Sequence, residues 1–294
     1  MDKLIHISDV LKRPKEPQII TDIRNHILKS FQKVRFEEEG HKYFLETLGG
    51  EKELPSVSAL CHQYQKEVDW DTIAKRKALK EHKKAEDLLR EWKLSGTIAS
   101  NAGTGVHLFG ESMMRFLQGC PEEISEIIMP QFEDGYLIPH SAKEWAIHSY
   151  WVHMLFESKG VYPILPEVRL FVDGPDIKTP YAGTMDILLA YINNNKVNLC
   201  IHDYKTNKSL EDSWKREHDQ RLLRPFSDMI DEPKSIYTLQ LGHYEFGLSR
   251  IFEGDSSINV VDRELVWLKE DGNYELFKLD NIQDRICSVI TIKH

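Results

Sequence analysis

The chain has 294 residues, 41% hydrophobic and 29% charged, with a formal net charge of −9. That is enough apolar material for one large domain or two small ones, and it excludes a disordered chain. The negative balance argues against broad, non-specific coating of nucleic acid but leaves room for nucleic acid in a local basic groove.

No run approaches the roughly 18 consecutive apolar residues of a membrane span. The opening residues MDKLIHISDVLKRPKEPQ lack an apolar stretch of signal-peptide length, so a cytoplasmic protein with no membrane partner is expected. Cys61, Cys120, Cys200 and Cys287 are scattered, with no CxxC pair. Free thiols in a reducing compartment are expected rather than a zinc site.

In chain order, KVRFEEEGHKYFL (33–45) predicts two short strands around Glu39-Gly40. Ser56 is placed to cap a helix starting near Val57. Residues 70–96 read as one helix, with Ile73, Ala74, Leu79, Leu88 and Leu89 as a partial apolar stripe. Lys75, Arg76, Lys77, Lys80, Lys83 and Lys84 make either a solvated face or one wall of a strand-binding channel. A second helix is expected from about Gly103 to Leu117, then an irregular acidic connection over 121–135. Ser141 followed by Glu144 predicts a capped helix ending at Gly160.

From Val161 the pattern changes. VYPILPEVRLFV, YAGTMDILLAYI and KVNLCIHDYK read as three successive strands, with turns at Asp173-Gly174-Pro175 and Asn193–Asn195. A helix from about Lys234 to Phe252, a strand pair turning at Asp271-Gly272-Asn273 and a short terminal helix complete the chain. The fold class expected is α/β, a central mixed sheet flanked by helices.

Asp186 begins one apolar run and Asp203 ends the next. Counted from Asn194 they lie eight residues back and nine forward, close to opposite in a hairpin. Lys205, two residues from Asp203, shares its face. Glu167 is expected near the start of the preceding strand. Such a set suits a hard cation and phosphodiester hydrolysis. Spacing alone equally permits a hairpin with paired surface charges.

Gly183-Thr184-Met185-Asp186 and Asp203-Tyr204-Lys205-Thr206, with Glu167 upstream, resemble the core motifs of the PD-(D/E)XK nuclease superfamily, closest to its RecB-like exonuclease branch. AGTGVHLFGE (102–111) is similar to that family's first motif, and Gln240 and Tyr244 stand at its QxxxY spacing. These pieces follow the family's order across residues 103–244. GHKYFLETLGGEKELPSVSALC resembles a lead segment of phage relatives and mitochondrial genome-maintenance exonucleases. The proline of the family name is absent, since Met185 precedes Asp186.

The resemblance implies a restriction-endonuclease-like core over 97–294, with the N-terminal region 1–96 packed on it. It implies Asp186, Asp203, Glu167 and His107 as metal ligands, Lys205 as the catalytic lysine, and Mg²⁺ or Mn²⁺ as the cofactor. Glu111 is a candidate to orient His107. Gln240, Tyr244, Thr206, Arg221 and Arg224 are candidates for DNA contact, with Arg216 beside them. His202 is expected to pack away from Asp203. Only Cys287 is late enough for the family's iron–sulfur pattern, so no cluster is expected. The implied activity is a DNA exonuclease on single strands or ends, of phage or mobile-element type, acting in a bacterial host's cytoplasm in recombination, repair or degradation. A structure-specific endonuclease and a non-cutting binding module are the alternatives. Polarity and any recombination or replication partner are not legible.

Overall fold

The structure, a computed structural model, describes residues 4–119, 132–158, 160–194 and 196–292. Cys120, most of the expected acidic connection and Asn195 of the expected turn lie outside the described residues.

α1 (Ile7–Leu11) is followed by α2 (Gln18–Phe31), in which Ile20, Ile23, Ile27 and Phe31 recur at helical steps and are buried. β1 (Val34–Glu37), β2 (Lys42–Thr47) and β3 (Gly50–Leu54) form an antiparallel sheet. The third strand adds to the expected pair. Ser56 caps α3 (Val57–His62) by accepting from Ala59 N.

α4 (Trp70–Glu81) stops at His82, whose φ of 52° is left-handed. α5 (Ala85–Leu117) then runs unbroken for 33 residues. The sequence predicts a break after Gly96, yet Gly96, Gly103, Gly105 and Gly110 all lie within this helix. Each glycine costs about 1 kcal/mol relative to alanine. Burial of Val106, Phe109, Met113, Phe116 and Leu117 offsets that cost. The boundary expected between 96 and 97 therefore falls inside one helix. Of the expected stripe, Ala74 and Leu88 are buried while Leu79 and Ile73 are exposed.

β4 (Phe132–Glu133) and β5 (Tyr136–Leu137) form a minimal hairpin. α6 (Ala142–Val152) opens on the Ser141–Glu144 capping box and ends in a π-helical turn over His153–Glu157.

β6 (Val161–Val172), β7 (Tyr181–Asn193) and β8 (Lys196–Lys205) form the expected antiparallel meander. α7 (Ser213–Glu217) and α8 (Pro233–Ile251) follow, then β9 (Ile258–Leu268), β10 (Tyr274–Lys278) and α9 (Gln283–Ile290). β8 and β9 are parallel, so the chain needs a crossover, which α8 supplies. The sheet order is β10-β9-β8-β7-β6.

Each face of this mixed five-stranded sheet carries its own core. One includes Ile20, Ile27, Val57, Leu199, Leu239 and Ile286; the other includes Phe109, Met113, Ile147, Trp151, Leu189 and Tyr204. The fold is α/β, with helices on both sides. Among the described residues no helix is long and apolar enough to cross a membrane, and Cys61, Cys200 and Cys287 are free thiols.

Gly110 lets α5 settle onto the sheet. A Cβ there would meet the ring of Tyr204 on β8, which is itself pinned by a bond from Trp151 Nε1 at 2.8 Å. Gly110→Ala is expected to destabilise the protein by about 1–3 kcal/mol through overpacking, read from urea unfolding. Gly96→Ala, with open space around it, is expected to stabilise slightly.

Candidate metal centre

The β7–β8 ladder runs from Asn193↔Lys196 to Ile187↔His202, so Asp186 and Asp203 are the next residues outward. They stand across from one another, as the count from Asn194 predicts. Asp186 Oδ2 accepts a bond from Tyr204 N at 2.9 Å, a side chain standing in the ladder. Met185 packs into one core and Ile187 into the other, so the two-residue alternation of β7 breaks at Asp186.

On the other flank, β6 pairs Pro166↔Ile187 and Val168↔Met185, with Glu167 between them. Glu167 therefore sits mid-strand, not near the strand's start. Its φ of 46° is left-handed, a conformation costing about 1–3 kcal/mol for a non-glycine residue. Strain of this kind persists where surrounding packing holds it.

α5 supplies the third wall. His107 lies one turn before Gly110, so the close packing at Gly110 lowers the imidazole over β7. Its Nδ1 is 3.1 Å from Asp186 Oδ2, and its ring meets Tyr204 edge-on at 6.0 Å. One ligand atom each from His107, Glu167 and Asp186 lies within 4.8 Å of the others.

Asp203 is not in this group, which departs from the expected pairing of Asp186 with Asp203. Its carboxylate is buried and ion-paired with Lys205 Nζ. That Nζ also lies 4.3 Å from the centre of the Tyr237 ring on α8. Tyr204, between Asp203 and Lys205, packs on the opposite face. The D-x-K alternation thus sends acid and lysine toward α8 and the tyrosine toward α5.

Burial and crowded negative charge govern the titration of the acids. Burial first, then the charge of Asp186, pushes Glu167 up to about 8. The same two causes push Asp203 up to about 6, against the pull of Lys205. Burial opposes the His107 cation, but the charge and hydrogen bond of Asp186 overcome it and raise His107 to about 9. Asp186 is held low despite its burial, by His107, Lys205 and the Tyr204 N–H. Burial also opposes the Lys205 cation, but Asp203 and Asp186 keep its pKa raised, so this lysine is charged and is not a neutral base. Once Glu167 and His107 have shed their protons, three carboxylates against the one ammonium of Lys205 leave a demand for positive charge that a hard divalent ion meets. Oxygen and imidazole donors without thiolates suit Mn²⁺ and Mg²⁺.

The remaining candidates divide. Gln240 donates to Tyr244 OH at 3.0 Å. Tyr244 packs against Gly183, where a Cβ would lie 2.7 Å from its ring, so α8 rests on the strand just before Asp186. The Thr206 carbonyl accepts from Lys143 Nζ at 3.2 Å. Glu111 does not orient His107 by a hydrogen bond. It accepts from Arg115 at 2.7 Å, because the i,i+4 guanidinium is the nearer partner. Arg216 is tied to Glu232 and Glu211, and Arg221 to Asp219 and the Asp228 carbonyl, so neither reaches out as expected. Arg224 is exposed. His202 packs away from Asp203, bonded to Tyr150 OH at 2.9 Å, as expected. On α4, Lys77 pairs with Glu81.

Tyr237 was not singled out from the sequence. It lies three residues before Gln240 in the same helix, so the periodicity that joins Gln240 to Tyr244 contained the signal. No protein-family model matches the chain, and a search of curated proteins finds no match.

Proposed function

We propose that this chain is a metal-dependent deoxyribonuclease with the restriction-endonuclease-like core of the PD-(D/E)XK superfamily, in its RecB-like exonuclease branch. It hydrolyses phosphodiester bonds in single-stranded or end-exposed DNA. The observation carrying this reading is the approach of His107, Glu167 and Asp186 within one ion's reach, beside the buried Asp203–Lys205 pair. A surface hairpin with paired charges would leave these groups in water, whereas Asp203 is 1% exposed.

His107, Glu167 and Asp186, with Asp203 beside them, would hold Mg²⁺ or Mn²⁺, which supplies Lewis-acid polarisation of a phosphoryl oxygen and a more acidic water. The imidazole favours Mn²⁺, which is expected to support activity at least as well as Mg²⁺. Lys205 presents a fixed cation to charge developing on the phosphoryl oxygens, and Asp203 with the Tyr237 ring holds it in place. Gln240 lines the α8 side, where its amide suits a phosphate, whereas Tyr244 is buried on Gly183 and holds the Gln240 amide rather than meeting a base. A role in phage or mobile-element DNA recombination, repair or degradation, in a host cytoplasm, is the setting the resemblance implies.

Linear and circular single strands of equal sequence, incubated with Mn²⁺, provide the test. Degradation of the linear strand with the circle intact is expected. Cutting of the circle would convert the reading to an endonuclease. No cutting of either form, or of duplex, in Mg²⁺ or Mn²⁺ would leave a non-cutting module on a nuclease-like fold.

A further inference from the structure

A cleft of about 1090 Å³ lies between the α1–α2 segment, the C-terminal half of α5 and β6. Glu111 and Glu167 line it, so it is continuous with the candidate metal centre. Its walls carry five cations, Arg13, Lys15, Arg24, Arg115 and Arg169, against three acids, Glu16, Glu111 and Glu167. A chain of net charge −9 thus concentrates positive charge in one recess beside its acidic centre.

The ion pairs sort these cations. Arg24 forks onto Glu16 and bonds the Ile164 carbonyl at 2.8 Å, and Arg115 is bound to Glu111. Among the described residues, no carboxylate lies within ion-pair distance of Arg13, Lys15 or Arg169. Arg13 and Arg169 are nonetheless held in position by rings. The Arg13 guanidinium lies 5.7 Å from the centre of Phe156, and that of Arg169 lies 5.7 Å from the centre of Phe36. Arg13 is only partly exposed, and burial lowers its pKa, with Tyr162 opposing that shift only in part and no carboxylate beside it. Preset guanidinium forks without an internal anion are matched to phosphate. Tyr162 lines the same recess and offers a ring to a base.

We propose that this cleft seats the segment of a single DNA strand lying beyond the scissile centre, with Arg13, Lys15 and Arg169 contacting its backbone phosphates. The proposal rests on the nuclease reading above. The DNA then crosses the sheet edge from α8, past Lys205 and Glu167, into the cleft between α2 and β6. Backbone contacts of this kind are indifferent to sequence.

The test is binding of a fluorescein-labelled single-stranded oligodeoxythymidylate to the full-length chain in EDTA, by anisotropy across a salt series. Without a divalent ion the measurement does not depend on cleavage. Arg13→Gln and Arg169→Gln are each expected to weaken binding about five- to tenfold. Each is also expected to flatten the slope of log affinity against log salt by about 0.7. Lys178→Gln, on the exposed loop between β6 and β7, is expected to leave the slope unchanged. An unchanged slope in both arginine variants, or an equal change at Lys178, overturns the proposal, as does a blunt duplex competing as well as the single strand. If the wild type cuts DNA while the arginine variants bind normally, the cleft assignment fails and the nuclease reading stands. If binding depends on Arg13 and Arg169 but no metal supports cutting, the nuclease reading fails and the strand-binding cleft remains.

Discussion

Lys205→Ala is expected to lower cleavage by about 10²–10³-fold, as the loss of one preorganised donor does, with the fold retained. Lys205 is the fixed cation nearest the acids, and its charge is secured by Asp203, Asp186 and the Tyr237 ring. A charge in a buried site is worth more than the same charge in water. The variant also leaves Asp203 buried without its partner, so its pKa should climb further above about 6. A protonated, neutral Asp203 is the least costly outcome of that loss, and this is why the protein should still fold. Single-turnover cleavage in Mn²⁺ and thermal unfolding of the same samples separate the two effects. Lys205→Arg should recover part of the rate, because charge returns while the position over Tyr237 is strained. Asp203→Ala should match the alanine variant of the lysine. Cleavage at wild-type rate in both alanine variants would sink the catalytic assignment of this pair.

Divalent-ion affinity is expected to rise steeply with pH, by up to about a hundredfold per unit below pH 8. A ligand must shed its proton to bind metal. In the metal-free centre Glu167 titrates at about 8 and His107 at about 9, so at neutral pH both carry protons. Two displaced protons give about two decades per pH unit, falling toward a plateau above pH 9. Titration calorimetry of Mn²⁺ in buffers of different ionisation enthalpy counts the released protons, and a count near zero would remove both residues from the ligand set.

Stability gives the sign independently. Glu167 is raised from its ordinary 4.5 to about 8, so its folded form binds more protons across that window. His107, raised from 6.5 to about 9, stabilises fully below 6.5 and loses that contribution as pH rises through 9. Both make the metal-free fold less stable as pH rises from 6 to 9. Thermal scans in EDTA should therefore show Tm falling over this range. Added Mn²⁺ should restore Tm most at the alkaline end, where proton competition is weakest.

Local patterns carried much of the architecture. The meander from Val161 to Lys205 follows from three β-branched runs and their turns. The register across from Asp186 to Asp203 follows from a period of two counted from the turn. The capping residues Ser56 and Ser141 marked their helix starts because each side chain meets a backbone donor within one turn.

What failed to be legible depends on neighbours distant in sequence. The length of α5 was obscured because its glycines read as breaks, while Tyr204 and the sheet that stabilise it lie far along the chain. Glu111 looked like a partner for His107 by helical spacing, but Arg115 has the same spacing from the other side.

The sequence by itself determined which chemistry is available: acids, imidazole and lysine placed by strand and helix periodicity in an order that resembles a nuclease. Only the tertiary structure decided which of them share one point. The positive φ of Glu167, the insertion of Asp186 into the ladder and the close approach of α5 at Gly110 assemble His107, Glu167 and Asp186, and set Asp203 apart with Lys205. Side-chain convergence is a property of packing between elements, and a strand's period specifies a face without specifying what meets it.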